Sequence, residues 1–406
     1  MTSLSPSDEK QLADMVAAAA VGKQTFEIFA GGGKRGFGRP VAADHALDIS
    51  GIAGIVDYEP AELILTARPG TPLARIEAEL RGRGQMLAFE PPDWRGLLGG
   101  ANAPTLGGVL ACNISGPRRV RAGAARDFLL GFSAVNGRGE IFKAGGKGVK
   151  NVTGFDLSKL IVGSFGTLSI LTEVTLKVMP RPETERTILL HALADEVAVG
   201  AMSAALNAPH EISGVAHLPE AAARRSSLSG VADGLGAVTA LRIEGPAPSV
   251  AFRAEAIEAA FGRGAQLEGD DSAAFWRDVG EVRPLLADGE RIVWRLCPTP
   301  SLAAKAVEAV RARLVAAEAF YDWGGGQVWL SLDPAEAGSD GGAAVVRDAM
   351  KACGGHSTLI VARKEVRSQV EVFEPAAPAL SALAARVKSG FDPLGLFNPG
   401  RMREGR

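Results

Sequence analysis

The chain has 406 residues, 47% of them hydrophobic, and 44 basic against 46 acidic side chains give a formal net charge of −2. That length and apolar content suffice for two or three domains with substantial cores, while the balanced charge excludes a global field that would gather nucleic acid or anionic lipid. Cys112, Cys297 and Cys353, with no C-x-x-C pair, exclude a disulfide framework and an iron–sulfur or zinc ligand set and point to a reducing cytoplasm.

The first predicted element is an amphipathic helix over about Pro6 to Val21. The residues before it carry acids where a signal peptide carries bases, and the apolar run Met15 to Val21 is too short to span a bilayer. Strand-like runs follow at Thr25 to Ala30 and Leu63 to Arg68. Between them, Gly31-Gly32-Gly33-Lys34-Arg35-Gly36 satisfies G-x-G-x-x-G. A Rossmann fingerprint needs its third glycine to open a helix, and Phe37-Gly38-Arg39-Pro40 cannot continue one, so that reading is excluded. What remains is a glycine loop flanked by Lys34, Arg35 and Arg39, suited to gripping a pyrophosphate from the main chain. A plain surface loop is the alternative.

The stretch from Gly99 to Leu168 is dense in glycine, which gives up more backbone entropy on folding than any other residue and so marks positive φ or close approach to a ligand. Pro104-Thr105-Leu106-Gly107-Gly108 leading into Val109 to Ile114 predicts a turn and a short helix whose free N–H groups point at an anion, with Thr105 adding a hydroxyl. Arg126-Asp127 comes next. Asn136 to Glu140 predicts a hairpin turn between Phe132 to Val135 and Ile141-Phe142. The Lys150 to Leu157 segment follows, then an alternating strand over Thr172 to Val178. Leu160 to Val178 is the most apolar longer segment, but Glu173 and Lys177 break it, so no membrane span is expected.

Pro180 to Glu185 reads as a stiff hinge, because each proline fixes φ and biases its predecessor to extended backbone. Beyond it, strand-like and helical runs alternate: Thr187 to Ala192, helix Asp195 to Asn207, Ile212 to Leu218, Val238 to Glu244, helix Ser249 to Phe261, Ile292 to Cys297, helix Leu302 to Ala319, Val328 to Leu332 and Thr358 to Ala362. That order predicts an antiparallel sheet with helices on one side. A helix over about Pro378 to Ser389 and a turn-rich tail from Phe391 to Arg401 close the chain.

In this order, the glycine loop, Ile55-Val-Asp-Tyr-Glu-Pro60 with Thr66-Ala-Arg-Pro-Gly-Thr-Pro-Leu73, the T-x-G-G turn and Lys150-Asn151-Val-Thr-Gly154-Phe-Asp156-Leu157 resemble the FAD-binding domain of the vanillyl-alcohol oxidase type, also called PCMH-type. The tail Phe391-Asp392-Pro393 with Asn398-Pro399-Gly400 is similar to that family's C-terminus. Within the family, the K-N-x-x-G-x-D-L segment, Tyr321-Asp322-Trp323-Gly-Gly-Gly-Gln-Val-Trp329 and the short cap most resemble the E subunits of bacterial glycolate oxidases. The resemblance implies an α+β fold: a two-lobed PCMH-type FAD-binding domain at 1–182, a smaller α+β cap with an antiparallel sheet at 183–374, and a helix and tail at 375–406 returning to the FAD domain. It also implies that Gly31, Gly32, Gly33 and Lys34 wrap the FAD pyrophosphate. Pro104, Thr105, Gly107 and Gly108 would sit between diphosphate and flavin, and Gly123 and Asp127 near the flavin edge. Lys150, Asn151, Gly154 and Asp156 would complete the pocket, with Ile170 on the adenine side. Many members tether FAD through a His just after the glycine pair or triplet; Lys34 stands there, so noncovalent FAD is expected.

Two family features are missing. Members that oxidise D-2-hydroxy acids carry a His-rich metal site of G-D-G-N-x-H type and a later E-H-G, whereas this chain reads Gly324-Gly-Gly-Gln-Val-Trp329 and has no Glu-His pair. No metal is expected. His45, His191, His210, His217 and His356 sit in turn-like or strand-end settings that favour surface or structural roles over a catalytic base, so no catalytic residue is assigned. Arg118, Arg119, Arg121 and Arg126 suit either a clamp on phosphate or partner acids or a solvated loop. Trp323 and Trp329 read as core packing ahead of a stacking surface, Arg224-Arg225 as surface charge, and Ser164 to Thr167 as either phosphate contacts or a tight turn. The leading functional reading is the FAD subunit of a glycolate oxidase, acting on a small 2-hydroxy acid beside a second flavin subunit and an iron–sulfur subunit, cytoplasmic and held at the inner membrane only through partners. The alternatives are a stand-alone FAD-dependent D-2-hydroxy-acid dehydrogenase and a structural or electron-relay subunit without its own substrate site.

Overall fold

The opening helix occupies Glu9–Gly22 in the computed structural model, which describes residues 2–146, 155–234, 236–286 and 289–404. Asp8 caps it by accepting from the Gln11 N–H at 2.8 Å, and Lys23 ends it in the left-handed region. Leu12, Val16 and Ala19 recur at helical spacing and are buried. They join Phe26, Leu47, Ile49, Ile52, Val135, Ile170, Leu396 and Phe397 in one core, so residues from both ends of the sequence share it.

By its contacts the chain divides into two compact units, one of residues 1–114, 123–181 and 371–406, the other of 115–122 and 182–370. Among the described residues the first holds three sheets, one of them only the short antiparallel pair of Gln85–Met86 with Met179–Pro180. In the smaller of the other two, His45–Asp48 runs parallel between Thr2–Leu4 and Phe26–Phe29. In the larger, five antiparallel strands run in the order Ile55–Glu59, Ile64–Ala67, Ile170–Lys177, Leu129–Val135, Ile141–Gly145. The last two form the hairpin expected around Asn136 to Glu140. The C-terminal tail is tied in by main chain: Phe26 N–H donates to Leu396 O at 2.7 Å and Asn398 N–H to Phe26 O at 2.9 Å. Buried Asp392 fixes the tail's bend by accepting from the Leu396 and Phe397 N–H groups, each at 2.9 Å, and by pairing with Lys388 Nζ.

The second unit is built on eight antiparallel strands, in the order Ala265–Glu268, Thr184–His191, Val238–Gly245, Gly214–Leu218, Glu318–Asp322, Gln327–Leu332, Ile292–Cys297, His356–Val361. Helices cover both faces, not one. Helix Asp195–Asn207 meets the face of His217, whereas helix Gly269–Gly280 meets the opposite face, where Trp276 Nε1 donates to Thr187 Oγ1 at 2.8 Å. Strands Gly214–Leu218 and Gln327–Leu332 are accordingly buried along their whole length, which removes the in–out alternation that a one-sided sheet shows. A second difference is the helix expected at Leu302 to Ala319. It ends at Arg311, and Glu318–Asp322 is a strand paired with both Gln327–Leu332 and Ala216-His217; sheet pairing overrides the helix propensity of the alanines there.

Candidate cofactor cleft

Strand Phe26–Phe29 runs directly into the glycine loop. Gly31 and Gly32 take φ of 68° and 80°, a left-handed conformation that costs other residues roughly 1–2 kcal/mol each. Among the described residues the N–H groups of Gly31, Gly32 and Gly33 donate to no protein acceptor, which leaves three adjacent backbone donors for an anion. The loop is held from outside: Asn102 Nδ2 donates to Gly31 O, and Thr105 Oγ1 donates to Ala30 O at 3.3 Å. Lys34 turns its ammonium away to Asp93 O and over the Trp94 ring at 5.7 Å. Arg35 pairs with buried Glu27, which Arg401 also meets at 3.4 Å.

The turn at Pro104 to Gly108 behaves differently from expectation. The helix over Leu106–Cys112 forms with Thr105 as its N-cap, but its first N–H groups are used internally. Leu106 donates to Thr71 O at 3.0 Å, Gly107 to Pro69 O at 2.8 Å, and Gly108 to Thr105 Oγ1 at 3.4 Å. They are therefore not the free anion donors predicted from the sequence. Instead the turn is pressed onto Pro69: a Cβ at Gly107 would lie 2.7 Å from Pro69 Cβ, so only glycine fits. The helix start is a wall and a brace for the glycine loop.

Loop and wall border an open, largely apolar cleft, the kind of concave surface on which cofactors are held. It brings together Gly32, Gly33, Lys34, Pro104, Thr105, Gly107, Gly108 and Ile170 of the predicted residues, with Gly31 adjoining through Thr105. Gly123 and Asp127 do not line it: Asp127 accepts from Ala124 N–H and from Lys159 Nζ, both at 2.8 Å, and so holds its own turn. Asp156 is exposed before the short helix Leu157–Ile161 and is also outside the lining. Lys150, Asn151 and Gly154 lie outside the described residues.

The cleft also contains residues that the sequence reading left out of the site. Phe37 and Phe165 meet edge to face at 4.9 Å, and Asn398 donates to Phe165 O and accepts from Ile28 N–H, both at 2.8 Å. Arg401 donates to Arg35 O at 2.9 Å and Phe37 O at 3.1 Å. The Asn398-Pro399-Gly400 motif was the available signal for these last two. Ser164 to Thr167 is a tight turn, with Thr167 Oγ1 donating to Ser164 O at 2.7 Å, and Ser164 also faces the cleft. Ser169 is 2% exposed, lines the cleft, and has no partner for its Oγ among the described residues.

This donor set fits a dinucleotide such as FAD. Three unsatisfied glycine amides suit a diphosphate, a buried hydroxyl without a partner suits a polar ring edge or sugar hydroxyl, and Ile28, Ile49, Phe37 and Ile170 offer the apolar lining a heterocycle needs. The four basic residues singled out near 118–126 are engaged within their own units. Arg118 pairs with Glu244, Arg119 lies over Trp323 at 4.5 Å, Arg121 meets Glu211 at 3.2 Å, and Arg126 donates to Val162 O at 3.3 Å. His217 is buried, with Nδ1 at 2.8 Å from Thr239 Oγ1 and Nε2 at 3.3 Å from Asp195 Oδ1, a structural histidine. No described helix is long and apolar enough to cross a membrane.

Residues 3–145 match the family model described as an FAD binding domain. Glycolate oxidase subunit GlcE of Escherichia coli K12 is 34% identical over 389 residues, covering 94% of each chain. Glycolate oxidase subunit GlcD of Bacillus subtilis is 36% identical over 135 residues, 33% of this chain and 27% of that protein. Among solved structures, substrate-bound p-cresol methylhydroxylase superposes with a TM-score of 0.70 at 13% identity, covering 99% of this chain and 88% of that one, a likeness of fold. Alkyldihydroxyacetonephosphate synthase gives 0.69 at 16% identity over 98% and 76%.

Proposed function

From the premise that the chain belongs to the PCMH-type FAD-binding family, the family of glycolate oxidase subunit GlcE, and that FAD is its cofactor, we propose that it is the E-type flavin subunit of a glycolate oxidase. In this reading it takes part in oxidising glycolate to glyoxylate and passes electrons to a second flavin subunit and an iron–sulfur subunit. The likeness over 94% of both chains to GlcE carries the assignment. The chain's cysteine count leaves iron–sulfur ligation to a partner.

The N–H groups of Gly31, Gly32 and Gly33 hold the diphosphate, braced by Thr105 and Asn102. Pro69 and Gly107 would wall the cofactor's cleft, and Phe37, Phe165 and Ile170 would give its heterocycles an apolar lining. FAD, when bound, accepts the hydride equivalent from the substrate's Cα–H. With Lys34 at the place of the tethering histidine, and its ammonium committed to Asp93 O, the cofactor is held without a covalent bond. Flavin retained in the protein pellet after acid precipitation contradicts that.

The functional test is anaerobic addition of glycolate to the assembled complex, followed at the flavin bands. Bleaching within the turnover time supports the reading. A flavin that stays oxidised with glycolate yet is reduced by D-lactate in the isolated chain points instead to the stand-alone dehydrogenase.

A further inference from the structure

The sheet of the second unit carries two arginines on one face in opposite circumstances. Register sets them there: Arg242 lies opposite Gly214, Ala216 opposite Asp322, Phe320 opposite Trp329, and Trp329 opposite Arg295, and in-register partners share a face. Arg242 is buried, donates to Ser213 Oγ at 3.1 Å, and stacks over Trp276 at 4.6 Å. Arg295 is half-buried, its Nε has no partner, and its guanidinium meets no carboxylate or carbonyl among the described residues. Its Nε is shut off from water while the terminal nitrogens keep access to it, so an anion that reaches them gains a charge-assisted pair that no protein carboxylate already holds.

Its surroundings are neutral or positive. Trp329 and Thr358 stand across from it, Cys297 is two residues on, and His356 is the register partner of Cys297. Burial pushes the Cys297 thiol up, but the hydrogen bond from His356 and the charges of Arg295, His356 and Arg119 outweigh it and hold the thiol below its usual range. Ser331, two residues from Trp329 and 1% exposed, also has no partner for its Oγ among the described residues. Of the carboxylates on this face, Glu318 is engaged by Arg225 and Arg291, and Asp322 by the Trp323 N–H and Gln327 Nε2.

We propose that Arg295 anchors the carboxylate of a small 2-hydroxy or 2-oxo acid on this sheet face, beside Trp329 and Thr358. The planar fork of arginine matches a carboxylate in a bidentate pair, which a lysine reproduces only as a point charge. The identity of the acid rests on the function proposed above, while the anion site rests on Arg295 itself.

The test uses the flavin-loaded full chain and oxalate, a carboxylate probe with no hydroxyl to oxidise. Calorimetry measures oxalate binding, and the rate at which N-ethylmaleimide alkylates Cys297 reports occupancy at the site; Cys112 and Cys353 are buried. Oxalate is expected to bind the wild type and slow alkylation of Cys297 at least fivefold. Arg295→Met weakens binding more than thirtyfold and abolishes the protection, Arg295→Lys keeps part of both, and both variants keep wild-type flavin content and melting temperature. Wild-type affinity in Arg295→Met, or a wild-type chain that shows neither heat nor protection, overturns the proposal. Failure of the glycolate oxidase reading looks different: oxalate binding and protection persist while glycolate leaves the flavin of the complex oxidised.

Discussion

At the glycine loop, the N–H groups of Gly31, Gly32 and Gly33 and, in the lining of the adjoining cleft, the Ser169 hydroxyl have no protein partner among the described residues. At His217 in the second unit, both ring nitrogens are engaged, Asp195 accepts from Tyr321 at 2.7 Å and from Arg311 at 3.1 Å, and nothing is left over. Burial raises the demand for partners in both places. The histidine network meets that demand from within the fold, so it serves stability; the cleft leaves it open for a ligand, so it serves binding. Changes in the first region should therefore alter cofactor affinity with little effect on melting, and changes in the second should do the reverse.

The largest effect is expected from Gly107→Val, which drives a branched side chain into Pro69 and displaces the wall that braces the glycine loop. Flavin content, read at the visible absorption bands, should fall below a tenth of wild type, while the near-ultraviolet circular dichroism of the tryptophan-rich second unit is preserved. Next comes Gly32→Ala. Forcing alanine to a φ of 80° costs about 1–2 kcal/mol, so the FAD dissociation constant from fluorescence titration should rise about five- to thirtyfold. Unchanged affinity would break the assignment of this loop to the diphosphate.

Asp195→Asn should lower the melting temperature by several degrees at pH 7 and leave FAD affinity within twofold. Burial pushes this carboxyl up, but hydrogen bonds from His217 and Tyr321 and the charges of His217 and Arg311 outweigh it and hold the group at about 2. A carboxyl depressed in the folded state adds stability that is complete above its ordinary value of 3.8 and is lost as pH falls toward about 2. Wild type should therefore lose stability across that window more steeply than Asp195→Asn, as denaturant titrations at stepped pH would show. The smallest effect is reserved for Ser169→Ala. One hydrogen bond contributes about 0.5–1.5 kcal/mol, so FAD should bind about three- to tenfold more weakly, whereas the apoprotein should melt no lower because an unpaired hydroxyl has been removed. A less stable apoprotein with undiminished affinity would place Ser169 with the structural groups.

Much of this architecture was legible in the sequence where local chemistry decides it. Helix Asp195–Asn207 and strand Ile292–Cys297 fall at their predicted bounds, because apolar periodicity and flanking breakers act locally. Helix Gly269–Gly280 was missed, since its opening Gly-Asp-Asp reads as a loop and its stability comes from Trp276 lodged against Thr187 and Arg242. The cleft divides the same way. The glycine loop and the Thr105 turn announce themselves by composition. That Thr71 and Pro69 carbonyls consume the first helical N–H groups depends on pairing across the fold, including the bridge between Pro72 and Thr105. Asn398 and Arg401 reach the cleft only because Phe397 bridges to Phe26, a contact that no spacing in the sequence encodes.

The central claim is that the open donors of the glycine loop hold FAD noncovalently, and the most direct measurement is the flavin stoichiometry of the purified chain before and after acid precipitation, with Gly32→Ala alongside. The account predicts close to one FAD per chain, released entirely to the supernatant, and substoichiometric flavin in the variant. A colourless chain that cannot be reconstituted with FAD, or a variant that retains flavin as tightly as wild type, would contradict it.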